Sequence, residues 1–232
     1  QVARSFCPGG LGGWVSFVKG PLLAPLELTY GVKERTDASG DISIELDEDH
    51  LRDQLNHLKA KGEVEALTIS FVNSYINNKN EIQAAKIASE IFTNIPISIS
   101  SEVIPEMQEY ERAETTVLNS YVRPQVSNYV NNLQSNLEKT LGNDVQLSIL
   151  RSDGGLASSR ATADSPVNHL MSGPAGGVAG AIHFCNQAGY ENILTFDMGG
   201  TSTDVALIQN SRAKVRRETL VGDVRVLSLI HI

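Results

Sequence analysis

The sequence predicts an α/β fold in which short buried strands alternate with amphipathic helices. Three observations carry that prediction. Residues 66–72 and 95–100 are short apolar runs of strand length, and 79–92 between them repeats apolar residues at helical spacing. A strand, a helix and a strand in that order favour parallel pairing through a crossover. Further along, 145–150, 193–196 and 205–208 are again short apolar runs bounded by Gly, Asp and Ser, which predict additional strands.

The elements follow in order. Residues 1–26 contain Pro8, Gly9, Gly10, Gly12, Gly13, Gly20, Pro21 and Pro25 without a sustained period and are expected to form loop. Residues 28–35 and 42–46 flank Asp37-Ala38-Ser39-Gly40, whose Asp and Gly supply turn chemistry, so a β-hairpin is expected there. Asp47 should cap a helix reaching Lys61, with Leu51, Leu55 and Leu58 on its buried stripe and Gly62 as its stop. In the helix over 79–92, Ile82, Ala85, Ile87 and Ile91 are expected to face inward. Residues 105–141 are helical in pattern and rich in Glu at the start. Pro124 is expected to kink or divide that helix, and Leu133, Leu137 and Leu141 to continue its apolar stripe. After the strand at 145–150, Arg151-Ser152-Asp153-Gly154-Gly155 forms a sharp loop, and 173–185 forms a helix of small residues.

The 232 residues are 41% hydrophobic and 20% charged, with a mean hydropathy of -0.13. This is the composition of a soluble globular chain with a sizeable core, and it excludes collagen-like and largely disordered classes. Nineteen basic against 27 acidic residues give a net charge of -8. A surface that tracks nucleic-acid phosphates needs clustered Lys and Arg, so neither nucleic acid nor a polybasic membrane contact is expected. No apolar stretch approaches the roughly 18 residues of a membrane-spanning helix. Cys7 and Cys185 offer neither a disulfide framework nor metal-ligand spacing, and read as reduced thiols of a cytoplasmic protein.

The strongest chemical signal is Phe196-Asp197-Met198-Gly199-Gly200-Thr201-Ser202-Thr203-Asp204-Val205, an acidic, Gly-rich, hydroxyl-bearing loop between two strands. Glycines let the backbone turn so that successive N–H groups converge on an anion, and Thr201, Ser202 and Thr203 add hydroxyl donors. A carboxylate beside bound phosphate is repulsive unless a cation lies between them, so Asp197 makes chemical sense with Mg²⁺, held directly or through water. The alternative is a hairpin in which these residues only turn the chain. No Lys follows the glycines, so this is not a Walker A loop. A second signal is Ser172-Gly173-Pro174-Ala175-Gly176-Gly177 at the start of the small-residue helix, where glycines permit close approach of a ligand or of another backbone. A third is Ser152-Asp153-Gly154-Gly155, at the carboxyl end of a strand where ligands bind in open α/β sheets.

These motifs resemble the hydantoinase A / 5-oxoprolinase family, within the superfamily of actin, sugar kinases and the seventy-kilodalton chaperone ATPases. Ser100-Ser101-Glu102-Val103-Ile104-Pro105 and Tyr110-Glu111-Arg112-Ala113-Glu114-Thr115-Thr116 are similar to the family in the same order. The resemblance implies an incomplete actin-like (ribonuclease H-like) ATPase fold with an N-terminal α/β portion over 21–142 and the start of the ATPase domain over 143–226. It implies ATP and Mg²⁺ as cofactors, and an activity that opens a cyclic amide such as 5-oxoproline or a hydantoin by phosphorylating its carbonyl. By position, Gly199, Gly200 and Thr201 would cradle phosphate, Asp197 would hold Mg²⁺, and Asp204 and Thr203 would orient the loop or the metal. Ser202, Asp153, Gly154, Gly155 and Gly173 would lie at the same cleft, with Asp197, Asp204 and Asp153 as the candidate catalytic carboxylates. A second subunit of the hydantoinase B type is the implied partner.

Two alternatives stand beside this reading: the ATP-using subunit of a ketone carboxylase, and a non-catalytic nucleotide-binding module. Residues 1–20 and 227–232 fall outside the resemblance. The chain is expected to be a piece of a longer enzyme and inactive by itself. Tyr110-Glu111-Arg112 is read as a charge network of a helix rather than a substrate pocket. His50 and His57 are read as a solvated face rather than a metal site, because no third ligand is evident. His169 and His183 are read as structural or surface residues, and Cys185 as a buried small residue.

Overall fold

The computed structural model describes residues 22–62, 64–200, 203–214, 216–221 and 224–230, the last two ranges as backbone. Of the loop expected over residues 1–26, residues 1–21 (with Cys7) lie outside the described residues, as do residues 231–232; a 3₁₀ turn begins at Leu26.

The hairpin predicted around Asp37-Ala38-Ser39-Gly40 is present but short. Strand β1 (Arg35–Thr36) pairs antiparallel with β2 (Ile42–Ile44). Gly40 closes the turn at φ +91°, donating to the Asp37 carbonyl at 2.9 Å. Residues 29–34 are not strand, and α1 with its cap takes up two of their carbonyls. Asp47 N donates to Lys33 O at 3.0 Å, and Gln54 Nε2 to Gly31 O at 3.1 Å. Helix α1 (Glu48–Lys61) has the expected limits. The Asp47 carboxylate accepts from His50 N at 3.2 Å, Gly62 ends the helix at φ 77°, and Leu51, Leu55 and Leu58 are buried.

Strand β3 (Leu67–Ile69), helix α2 (Lys79–Ile91) and strand β4 (Ile97–Ile99) form the expected crossover, with Leu67, Thr68 and Ile69 parallel to Ile97, Ser98 and Ile99. The facing of α2 departs from expectation. Ile82 is 49% exposed, whereas Glu81, Ala84, Ile87 and Ala88 face the core. The cause is Glu81. Its carboxylate is fully buried at the carboxyl ends of β3 and β4, accepting from Phe71 N at 2.7 Å, Ser100 Oγ at 2.6 Å and Ser101 N at 2.9 Å. A residue one position on is rotated by about 100° around the helix, so turning Glu81 inward turns Ile82 out.

After the short helix α3 (Ser100–Val103), helix α4 runs unbroken from Glu109 to Leu141. Pro124 therefore does not divide it, although it removes one intrahelical hydrogen bond. Val130 is buried, but Leu133 and Leu137 are half-buried and Leu141 is exposed, so the expected stripe is not buried through to the helix end. The Tyr110-Glu111-Arg112 segment forms the anticipated charge network: Arg112 pairs with Glu109, and Tyr110 Oη donates to Glu114 at 3.2 Å. Its depth exceeds that reading. Arg112 is fully buried, donating to Phe71 O at 2.8 Å, Glu106 O at 3.0 Å and Ser100 Oγ at 3.1 Å, with Tyr75 beneath its guanidinium at 5.3 Å.

The C-terminal part begins with β5 (Ser148–Leu150) and β6 (Leu156–Ser158), an antiparallel pair around the predicted sharp loop. Helix α5 (Ser159–Asp164) and a 3₁₀ turn (Pro166–His169) lead into α6 (Ser172–Gln187). Strands β7 (Ile193–Met198), β8 (Thr203–Gln209) and β9 (Arg212–Ala213) form an antiparallel sheet, and β10 (Arg216–Val221) pairs antiparallel with β11 (Val224–Ile230). Helix α6 covers one sheet face through Val178 and Ile182 against Ile193, Ala206 and Ile208. It also lies so close on β5 that a Cβ at Gly176 would come within 2.6 Å of Leu150 Cδ2.

Two predictions follow from this packing. Removing the buried acceptor in Glu81→Ala strands three donors and lowers stability by about 3–5 kcal/mol, whereas Ile82→Ser stays within about 0.5 kcal/mol. Urea unfolding followed by circular dichroism checks this, and comparable losses from both would mean that the α2 facing is wrong. By the same measurement Gly180→Ala, where nothing lies within 4 Å of the new methyl, gains about 1 kcal/mol of helix propensity. Gly176→Val loses about 1–3 kcal/mol by overpacking Leu150.

Candidate functional site

The site assembles where β5, β7 and the first turns of α6 meet. Leu150 at the end of β5 packs under Gly176, and a Cβ at Gly177 would sit 3.9 Å from Asp197 Oδ2 near the end of β7. The small side chains of α6 thus let both strand ends approach the helix backbone. Ser152, almost fully buried, fixes the start of that helix from the side. Its N–H donates to Asn168 O at 2.8 Å, and its Oγ accepts from Met171 N at 3.1 Å. His169 adds a contact between its Nδ1 and Leu150 O at 3.0 Å, a structural role as expected.

The segment entering α6 is in turn tied to α4. Fully buried Asn119 donates to Asp164 O at 3.2 Å and to Ser98 Oγ at 3.1 Å, and accepts from Val167 N at 3.1 Å. One turn later Arg123 donates to Ile97 O at 2.6 Å and pairs with Asp164 at 2.7 Å. Nothing in the sequence marks Asn119, Arg123 or the bond between Met171 and Ser152, because each joins segments remote in the chain.

The hairpin register sets the chemistry. Asp197 lies directly opposite Asp204, and Phe196 opposite Val205. Side chains alternate along a strand, so Asp197 and Asp204 share the face of Thr195, Ala206 and Ile208, which is the face covered by α6. Thr195 Oγ1 closes the pair below them, accepting from Ala206 N at 3.2 Å. Among the described residues neither carboxylate pairs with a Lys or Arg. Like charges directly opposite in a sheet repel, and this arrangement suits a divalent cation. Mg²⁺ is commonly bound by one or two carboxylates with water and phosphate oxygens completing its shell. The described residues hold no group of three or more metal-ligating side chains.

The other predicted residues are placed as follows. Gly199 and Gly200 continue from β7 into the exposed turn, and Gly200 has nothing within 4 Å of a would-be Cβ. Thr203 is opposite Met198, which puts it on the sheet face away from the aspartates. Thr201 and Ser202 lie outside the described residues. Gly173, in the first turn of α6, has open space around it. Asp153 is engaged in its own turn: Oδ1 accepts from Gly155 N at 2.9 Å and Oδ2 pairs with Arg151 at 2.8 Å. Gly154 takes φ +81° to make that turn. The structure therefore brings Asp197, Asp204 and the α6 start together, and gives Asp153, Gly154 and Gly155 the work of shaping the β5–β6 turn.

The chain was compared with known proteins. Residues 18–92 match the hydantoinase/oxoprolinase N-terminal region, and residues 112–229 match hydantoinase/oxoprolinase. The acetone carboxylase beta subunit of Xanthobacter autotrophicus is 35% identical over 202 residues, which are 85% of this chain and 28% of that one. Among solved structures, nucleotide-free acetone carboxylase, from a study of ATP-dependent acetone carboxylation, superposes with a TM-score of 0.83 at 32% identity. ATP-dependent caprolactamase from Pseudomonas jessenii superposes with a TM-score of 0.80 at 27% identity. Each superposition covers 94% of this chain and 31% of the solved one, so this chain spans under a third of their length. The family match over more than half of the residues, with this structural agreement, shows that the chain belongs to the hydantoinase/oxoprolinase family.

Proposed function

We propose that this chain is part of an ATP- and Mg²⁺-dependent enzyme that opens a cyclic amide, built on an actin-like ATPase fold. The observation that carries the reading is the Asp197–Asp204 pair, facing across β7 and β8 beside the glycine-rich start of α6. The ATP dependence of the solved caprolactamase, with which this chain superposes, supports it. Bound Mg·ATP would supply the phosphoryl group that turns a poorly electrophilic amide carbonyl into one that water can attack.

The residues of this chain bind and orient. The backbone N–H groups around Gly199 and Gly200 would hold phosphate oxygens, and Asp197 with Asp204 would hold the cation that neutralises them. Ser152 and Asn119 keep the α6 start in register with those strands. This is catalysis by positioning and charge neutralisation, the protein's usual share in phosphoryl transfer. A second subunit of the hydantoinase B type is the proposed partner, in keeping with the acetone carboxylase relative, itself one subunit of its enzyme.

The acetone carboxylase likeness, 32% identity at a TM-score of 0.83, favours one second reading: the ATP-using subunit of a ketone carboxylase. Both readings share the carboxylate pair and differ in what stimulates ATP turnover. The test uses a polypeptide of the relatives' length that contains this segment. ATP hydrolysis should rise with 5-oxoproline or hydantoin, whereas the second reading requires a ketone with bicarbonate. Tight nucleotide binding with no stimulation by either would leave a non-catalytic module. In the same polypeptide, Asp197→Asn should lower Mg²⁺-dependent ATP turnover about 100-fold or more. Turnover retained within about twofold would remove the role assigned to that carboxylate.

A further inference from the structure

One face of the β7–β8 hairpin is accounted for by α6, and among the described residues the other is bare. Leu194, Phe196 and Met198 on β7 and Val205 and Leu207 on β8 are all 45–67% exposed. The register makes them one surface: Leu194 is opposite Leu207 and Phe196 opposite Val205, while Met198 lies beside Thr203. Five large apolar side chains in a continuous two-strand stripe are unlike the scattered apolar residues of an ordinary surface. The strand sequences point the same way. A strand with one wet face alternates apolar and polar residues, but β7 and β8 carry apolar residues on both faces, the pattern of strands covered on both sides.

We propose that this bare face is a docking surface for an apolar layer contributed by polypeptide that the longer relatives carry outside the matched segment. The occupant follows from two facts. Solved relatives superpose over 94% of this chain, yet it accounts for only 31% of each of them, so most of each relative's polypeptide is available to provide the layer. The stripe also carries no charged side chain, which excludes an occupant held by ion pairs and selects an apolar face of a helix or sheet. The proposal is independent of whether the site binds ATP.

The experiment places a charge in the stripe in two contexts. Phe196→Asp and Leu207→Asp are made in the 232-residue chain and in a polypeptide of the relatives' length. In the short chain the urea midpoint should be unchanged, and fluorescence of a bound apolar dye should fall severalfold. In the long polypeptide the same substitutions should lower the midpoint by about 1–2 M urea, or abolish folding, while Phe196→Leu restores it. An unchanged midpoint in the long polypeptide would overturn the proposal, because the face would then be free there too. Loss of stability in the short chain would also overturn it, because the face would then be covered within the segment. Sedimentation velocity covers the remaining case: a dimer of the short chain that Phe196→Asp dissociates would make a second copy the occupant.

Discussion

Most of the side chains that helix α4 buries are polar, and that constraint organises the chain on both sides of it. Arg112, Thr115, Thr116 and Asn119 are fully buried, each in a position where a missing partner would cost more than the bond itself returns. Arg112 holds the loops that leave β3 and β4 through Phe71 O and Ser100 Oγ. Two turns on, Asn119 holds Ser98 of β4 and Val167 of the segment that enters α6. The parallel pair of the N-terminal part and the approach to the candidate site are therefore referenced to one helix. Directional bonds do this where an apolar seam could slide, because a hydrogen bond fails steeply with misalignment.

That arrangement explains which elements are legible in the sequence. Helix α1 is legible because its determinants are local: the Asp47 cap, the stripe of Leu51, Leu55 and Leu58, and the Gly62 stop lie within sixteen residues. The strand–helix–strand order around α2 is equally legible from periodicity. The facing of α2 is not, since a stripe containing Ile82 and one containing Glu81 differ by one position, and only the distant Phe71, Ser100 and Ser101 donors select the second. Pro124 is misleading for the same reason. Its local effect is to break a helix, and α5 holds α4 on both sides of it, through Arg123 with Asp164 and Ser127 Oγ donating to Ala163 O.

The candidate site divides along the same line. Its glycines and aspartates are conspicuous in the sequence because few other residue types suit tight turns and anion contacts. Their spatial roles depend on register. A pairing shifted by one residue would put Asp197 on the bare face and Phe196 against α6. The burial of Ala206 and Ile208 beneath Val178 fixes the actual register, so the apolar core below decides which face the carboxylates occupy. In the turn of Asp153, Gly154 and Gly155, Asp153 makes a local hydrogen bond and an ion pair with Arg151.

The glycines of α6 allow the two functions of that helix to be separated by magnitude. Each interior glycine costs about 1 kcal/mol relative to alanine, so a helix containing Gly176, Gly177 and Gly180 forgoes roughly 3 kcal/mol. Among the described residues, packing requires only Gly176, where a Cβ would come within 2.6 Å of Leu150 Cδ2. At Gly177 the contact with Asp197 would be an ordinary 3.9 Å, and at Gly180 there is none. Most of the forgone stability is thus unrelated to the core of this chain. The carboxylate pair stands in the same relation, since like charges facing across two strands are destabilising and contribute nothing to the hairpin. Among the described residues, Gly177 near the start of α6 has no packing reason and lies beside Asp197 of β7, which pairs with no Lys or Arg; Gly180, in the middle of the helix, has no such neighbour. The phosphate and cation proposed above would account for both: Gly177 would let the phosphate approach the backbone, and the aspartates would hold its metal.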